Sequence, residues 1–130
     1  MTDRQWLSRQ AIETIHDEQL REQGGLFGLK DENALEAALS RPVNKAASGE
    51  PDIFDLAAVY LYGLVRNHPF NDGNKRIAFI AAYVFPRLHG YRIEAGQPVV
   101  IAFVLGVAAG EIDEEGAARF LRDHVEPVVD

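Results

Sequence analysis

Cysteine is absent from the chain, which excludes disulfides, thiolate metal sites and thiol nucleophiles together. A surplus of positive charge is missing too: 13 Lys and Arg stand against 20 Asp and Glu, for a formal net charge of −7. Such a chain lacks the broad basic surface of a general nucleic-acid binder, although a small cationic pocket in an acidic body is compatible with it. The most apolar window, "QPVVIAFVLGVAAGEI", is too short to span a bilayer and reads as a buried helix. The N-terminal "MTDRQWLSRQ" has no basic segment followed by an apolar one, so no secretory signal is expected. Internal repeats and low-complexity tracts are lacking as well. These absences lead to a cytoplasmic protein, off the membrane and without direct nucleic-acid contact. Its 130 residues suffice for one domain with its own core.

What is present reads as helix. Ser8 suits the cap of a helix running to about Arg21, with Ile12, Ile15 and Leu20 on its inner side. The glycines of "QGGLFGLKD" stop it. Asp31 caps a second helix carrying Ala34, Leu35, Ala38 and Leu39, and Pro42 predicts its end near Arg41. Arg41 to Pro51 then reads as an irregular connection or a short hairpin. Asp52 and Asp55 form a capping-box pattern ahead of Ile53, Leu56, Ala57, Tyr60, Leu61, Leu64 and Val65, apolar around so much of the circumference that a central helix is expected. A second central helix runs from about Gly73 to Leu88 and stops at Gly90. "YRIEA" is a short extended link. Pro98 opens a buried helix reaching Ala109, and Asp113 caps a last helix with Ala117, Phe120 and Leu121 that Pro127 ends. The fold class is all-α, with five or six helices.

Chemistry concentrates in "RNHPFNDGNKR", from Arg66 to Arg76. Pro69 takes His68 out of helical geometry, so the first central helix ends there. Phe70 anchors the turn, and Asp72–Gly73 is a turn pair in which Asp72 also suits the cap of the next helix. Asn74, Lys75 and Arg76 fall in that helix's first turn, where N–H groups are unpaired and the dipole is positive. Two cations there cost roughly 0.3–1 kcal/mol each in exposed settings, and a local rule broken in this way marks a functional position. A bound phosphate reverses the penalty. Asp72 is the single carboxylate that a Mg²⁺ shared with phosphate oxygens needs. His68 carries an imidazole, the side chain most often used as a base that takes a proton from an attacking hydroxyl. Base, metal carboxylate and anion cradle together point to phosphoryl or nucleotidyl transfer. The Walker spacing is absent, and no Ser or Thr follows Lys75.

"HPFNDGNKR" resembles the signature of the Fic/Doc superfamily, and in detail its death-on-curing (Doc) branch. The Fic branch carries a second glycine where Lys75 stands and a second arginine where Phe79 stands; both departures favour Doc. "IHDEQLREQGGLFGLKDENALEAALSRP" and "GVAAGEI" are similar to Doc text too, so the likeness covers nearly the whole chain. It implies a single Fic/Doc domain over residues 1–130, a compact helical bundle with the catalytic loop between two central helices. It further implies a toxin held inactive by a cognate antitoxin, which with ATP and Mg²⁺ moves the γ-phosphate to a threonine of translation elongation factor Tu. Carried onto this chain, His68 is the catalytic base and Asp72 the Mg²⁺ carboxylate, with Lys75 also in the catalytic set. Asn74, Lys75 and Arg76 contact nucleotide phosphates, Gly73 allows close backbone approach, and Arg66 adds a further phosphate contact. A flap over the site is assigned to residues 41–51 on the same likeness. Two alternatives stand beside the kinase: AMP transfer of the Fic type, and a catalytically idle antitoxin-binding domain. His16 is read as a polar helix position or as N-terminal packing, and His89 and His124 as cations suited to helix ends.

Overall fold

The computed structural model describes residues 4–128. Its elements in chain order are α1 (Arg9–Gln23), α2 (Glu32–Ala47), α3 (Ile53–Asn67), α4 (Asn74–Leu88), β1 (Tyr91–Ile93), α5 (Gln97–Ala108), α6 (Glu114–Asp123) and β2 (Val125–Pro127). The fold is mostly helical, as the apolar periodicity predicts. Among the described residues no helix is long and apolar enough to cross a membrane.

The centre is α3. Leu56, Ala57, Ala58, Tyr60, Leu61 and Leu64 are all wholly buried, each large apolar side chain contributing roughly 1.5–3 kcal/mol. The capping box forms as expected, with the Asp52 side chain taking the Asp55 N–H and Asp55 taking that of Asp52. α3 packs chiefly against α4, α2 and α6. Contact with α2 is close: a Cβ on Gly63 would stand 3.4 Å from Ala38. Tyr60 carries its one polar atom into the core, where the hydroxyl oxygen accepts the Leu7 N–H at 3.0 Å.

Four expectations need correction. α2 does not end at Arg41 but continues through Pro42 to Ala47. Leu35, Ala38, Leu39 and Pro42 are its buried stripe, at helical spacing, and burying that stripe offsets the roughly 3 kcal/mol that an interior proline costs. Arg41 and Lys45, one turn apart, both reach Glu114 of α6, at 2.7 and 3.3 Å. The irregular stretch thus shrinks to the few residues around Gly49.

The second correction concerns α5, which is not buried all round. Phe103, Val104, Gly106 and Val107 face inward, while Val99, Ile101 and Leu105 are about half exposed, at 47, 51 and 51%. Third, "YRI" is strand rather than link: β1 pairs antiparallel with β2, Arg92 opposite Glu126, and those two side chains meet at 2.8 Å. Fourth, Pro127 does not end α6. That helix stops at His124, whose Nδ1 lies 2.8 Å from the Phe120 carbonyl oxygen, and Pro127 belongs to β2. His89 ends α4 in the same manner, against Phe85.

Candidate active site

The loop from His68 to Gly73 joins the two helices that dominate the core. His68 adopts left-handed angles, φ 50 and ψ 55, and is the one described non-glycine residue with positive φ. Pro69 disfavours right-handed helical angles at the preceding residue, and the chain leaves the helix through this costlier region instead of extending. A residue held so is held by its surroundings. Phe70 is buried and pairs with Leu29 in an antiparallel bridge. Asn74 is 5% exposed; its Oδ1 accepts the Phe70 N–H at 3.0 Å and its Nδ2 donates to the Phe70 carbonyl at 2.9 Å. Those two bonds fix which way the amide faces, and Nδ2 also lies 3.3 Å from His68 Nδ1. The carboxamide is therefore committed inside the loop, and the Asn74 main-chain N–H is the group left to meet an anion.

Gly73 takes φ 75 as the residue before α4, and no side chain caps that helix. The expectation that Asp72 does so is not met. Its Oδ1 accepts the Gly73 N–H at 3.0 Å and its Oδ2 the Leu26 N–H at 3.3 Å. With no acid and no side-chain cap at the first turn of α4, its N–H groups without helical partners lie beside Lys75 and Arg76. Neither of these, nor Arg66, enters an ion pair among the described residues; Arg4, Arg21, Lys30 and Arg87 are unpaired too, but scattered, whereas these three gather around one loop. An acidic chain thus leaves three cations unneutralised around one loop.

Lys75 stands where three cavities meet. The first, about 230 Å³, is lined by His68, Asn71, Asp72, Gly73, Asn74, Lys75 and Arg76. A second, about 440 Å³, is bounded by Val65, Arg66, His68, Lys75, Leu105 and Ala108–Ala109. Here the Arg66 guanidinium sits 5.8 Å from the Tyr62 ring centre. The third, about 340 Å³, is an apolar groove of Phe79, Val100, Ile101, Val104 and Leu105 with Lys75 and Arg76 at its edge. Every predicted site residue lies on this loop or borders these cavities. The donor set fits a Mg²⁺ shared with phosphates: Asp72 is one exposed carboxylate with acceptor capacity left on both oxygens. No group of three or more His, Asp and Glu gathers as a protein-only metal cage among the described residues.

None of residues 41–51 lines these three cavities; they border another one, with Asp113, Glu114 and Tyr62. The segment that lies over the loop is the glycine-rich one between α1 and α2. Lys30 and Asp31 donate main-chain N–H groups to the Pro69 carbonyl at 2.8 and 3.0 Å, and Asn71 N–H donates to Gly28 at 3.0 Å. Gly25, at φ 132, is required: a Cβ there would stand 2.8 Å from Leu20 and 3.0 Å from the Asp72 carboxylate. Leu26 and Phe27 project from this segment, 66 and 50% exposed.

His16 is the residue that sequence reasoning underrated. It is buried, its Nε2 lies 2.7 Å from the Asp72 carbonyl oxygen, and its ring stacks on Phe70 with centres 3.8 Å apart. The available signal was its spacing of four from both Ile12 and Leu20, which puts it on the inner face of α1.

A mostly helical bundle with this loop between its central helices defines a class. The Fic/DOC family model matches residues 6–86, and the chain belongs to that family. It is similar to the protein kinase Doc of Escherichia phage P1, 34% identical over 117 residues that cover 89% of this chain and 92% of that protein. It is also similar to the toxin Doc of Mycolicibacterium smegmatis, 38% identical over 74 residues, 55% of this chain and 57% of that one.

Proposed function

We propose that this protein is a Doc-type toxin: a protein kinase that moves the γ-phosphate of ATP to a threonine hydroxyl of translation elongation factor Tu in the cytoplasm, and that a cognate antitoxin restrains. The observation that carries the reading is the uncapped N-terminus of α4, with Lys75 and Arg76 unpaired beside His68 and Asp72 in one cavity. The names of the two relatives, one a protein kinase and one a toxin, support the same class.

In the proposed reaction the threonine oxygen attacks the γ-phosphorus, its proton passes to His68, and the bond from that phosphorus to the bridging oxygen of ADP breaks. Lys75, Arg76 and the first N–H groups of α4 hold the phosphate oxygens as charge redistributes. Arg66 reaches the neighbouring cavity and takes a further phosphate. Gly73 lets the backbone approach the anion closely. Asp72 would hold Mg²⁺, which when bound neutralises charge on those oxygens and orients them. Base action through Nε2 needs the His68 tautomer protonated on Nδ1, in which the 3.3 Å approach of Asn74 Nδ2 is no longer a hydrogen bond. The reaction-ready imidazole therefore releases that contact.

The test is expression without an antitoxin. Wild type is expected to arrest growth with phosphothreonine accumulating on elongation factor Tu, and His68→Ala and Lys75→Ala to do neither. Growth arrest that persists unchanged in both variants, or unmodified elongation factor Tu in arrested cells, overturns the reading.

A further inference from the structure

We propose that His16, a helix away in sequence, is a positioning residue for this site and sets the direction of the Asp72 carboxylate. The inference rests on the phosphate-transfer reading for its consequence, but its geometry stands alone. The Asp72 carbonyl can only accept, so the His16 nitrogen 2.7 Å from it carries the proton and donates. The peptide unit between Asp72 and Gly73 is thereby held at both ends. Its carbonyl is taken by His16, and its N–H by the Asp72 carboxylate itself at 3.0 Å. Rotating that peptide breaks both bonds at once and leaves the carboxylate with the Leu26 N–H at 3.3 Å alone to hold its direction.

Two further contacts stop the ring from moving. His16 is 2% exposed and lies nearly parallel to Phe70, at an interplanar angle of 15°. Gly73 closes over its edge, where a Cβ would stand 3.4 Å from Nε2. The imidazole thus has the aromatic anchor of the loop on one face and the glycine that opens α4 at its Nε2 edge. Nothing in the proposed chemistry requires His16 to touch a substrate, and its burial keeps it from doing so. Its contribution is orientation, the kind of outer support whose loss lowers metal affinity or activity by about 10- to 100-fold while the ligand itself remains.

The experiment uses the full chain with Mn²⁺ as the probe ion, titrated by electron paramagnetic resonance in the presence of a non-hydrolysable ATP analogue. His16→Phe retains the ring and its stacking but loses the donor; His16→Gln places an amide N–H near the position of Nε2. His16→Phe is expected to weaken Mn²⁺ binding by about tenfold or more and to move the Gly73 amide resonance, with His16→Gln restoring much of both. Wild-type Mn²⁺ affinity and an unmoved Gly73 resonance in a folded His16→Phe protein overturn the proposal. So does a His16→Gln variant as impaired as His16→Phe. If wild type binds no Mn²⁺–nucleotide at all, the phosphate-transfer reading fails, and the Gly73 resonance across the same variants still decides whether His16 holds the peptide.

Discussion

Replacing Asn74 by alanine separates a brace from a ligand contact. The carboxamide makes two bonds to the main chain of Phe70, at 3.0 and 2.9 Å, between residues that are 5 and 2% exposed. Truncation leaves a buried N–H and a buried carbonyl without partners, each at a penalty of about 1–3 kcal/mol. Partial relaxation and water entry bring the expected loss to about 2–4 kcal/mol rather than the full sum. For a chain of this size that is a fall in Tm of roughly 10 °C, measured by calorimetry and checked by urea titration. Asn74→Asp retains the acceptor for the Phe70 N–H but sets an oxygen against the Phe70 carbonyl, so it is expected to destabilise as well. A variant that melts within a degree of wild type yet no longer binds nucleotide refutes the reasoning, because Asn74 would then act on the ligand and not on the loop.

Lys75→Ala removes an exposed, unpaired cation, so Tm should stay within a degree or two while ATP affinity falls by about 10- to 100-fold, the worth of a charge-assisted contact; calorimetric titration checks both. Tyr60→Phe deletes the acceptor of the buried Leu7 N–H and should cost about 1–2 kcal/mol in urea unfolding without changing ATP affinity. Partial burial pushes the Asp52 carboxyl up, but the Asp55 main-chain N–H and the Arg122 guanidinium outweigh it and hold the group below its ordinary value. Its contribution is therefore present above about pH 4 and is lost as pH falls through the lower folded value. Asp52→Asn keeps a capping acceptor and removes the charge, so its deficit at pH 7, under about 1 kcal/mol for so exposed a pair, should close in urea titrations as pH falls through the lowered Asp52 value.

How far the sequence could be read depends on how local each determinant is. α3 was legible because its apolar positions recur at helical spacing behind the Asp52–Asp55 box, and both signals lie within one turn of what they specify. The candidate site could be proposed because His68, Asp72, Lys75 and Arg76 fall within one short stretch and the two cations, Lys75 and Arg76, defy the helix dipole. Pro42 misled because its local cost is met by burial against another helix. α5 misled for a different reason: a segment apolar on every side has no periodicity to say which face is covered. Three-residue strands paired across more than thirty positions, Arg92 to Glu126, carry no local signature at all. The glycines of residues 24–28 announced a turn, but its docking over Pro69 and Asn71 is a long-range event. His16 shared that fate, its burial readable from spacing and its partner not.

The central claim is that the α4 N-terminus cradles the phosphate that is transferred. Purified protein, Mg²⁺ and elongation factor Tu incubated with ATP labelled at either the γ or the α phosphate test it most directly. Label reaching the factor from the γ position alone, and lost with His68→Ala, is the predicted result. Transfer from the α position, or none from either by a folded wild-type protein, contradicts it.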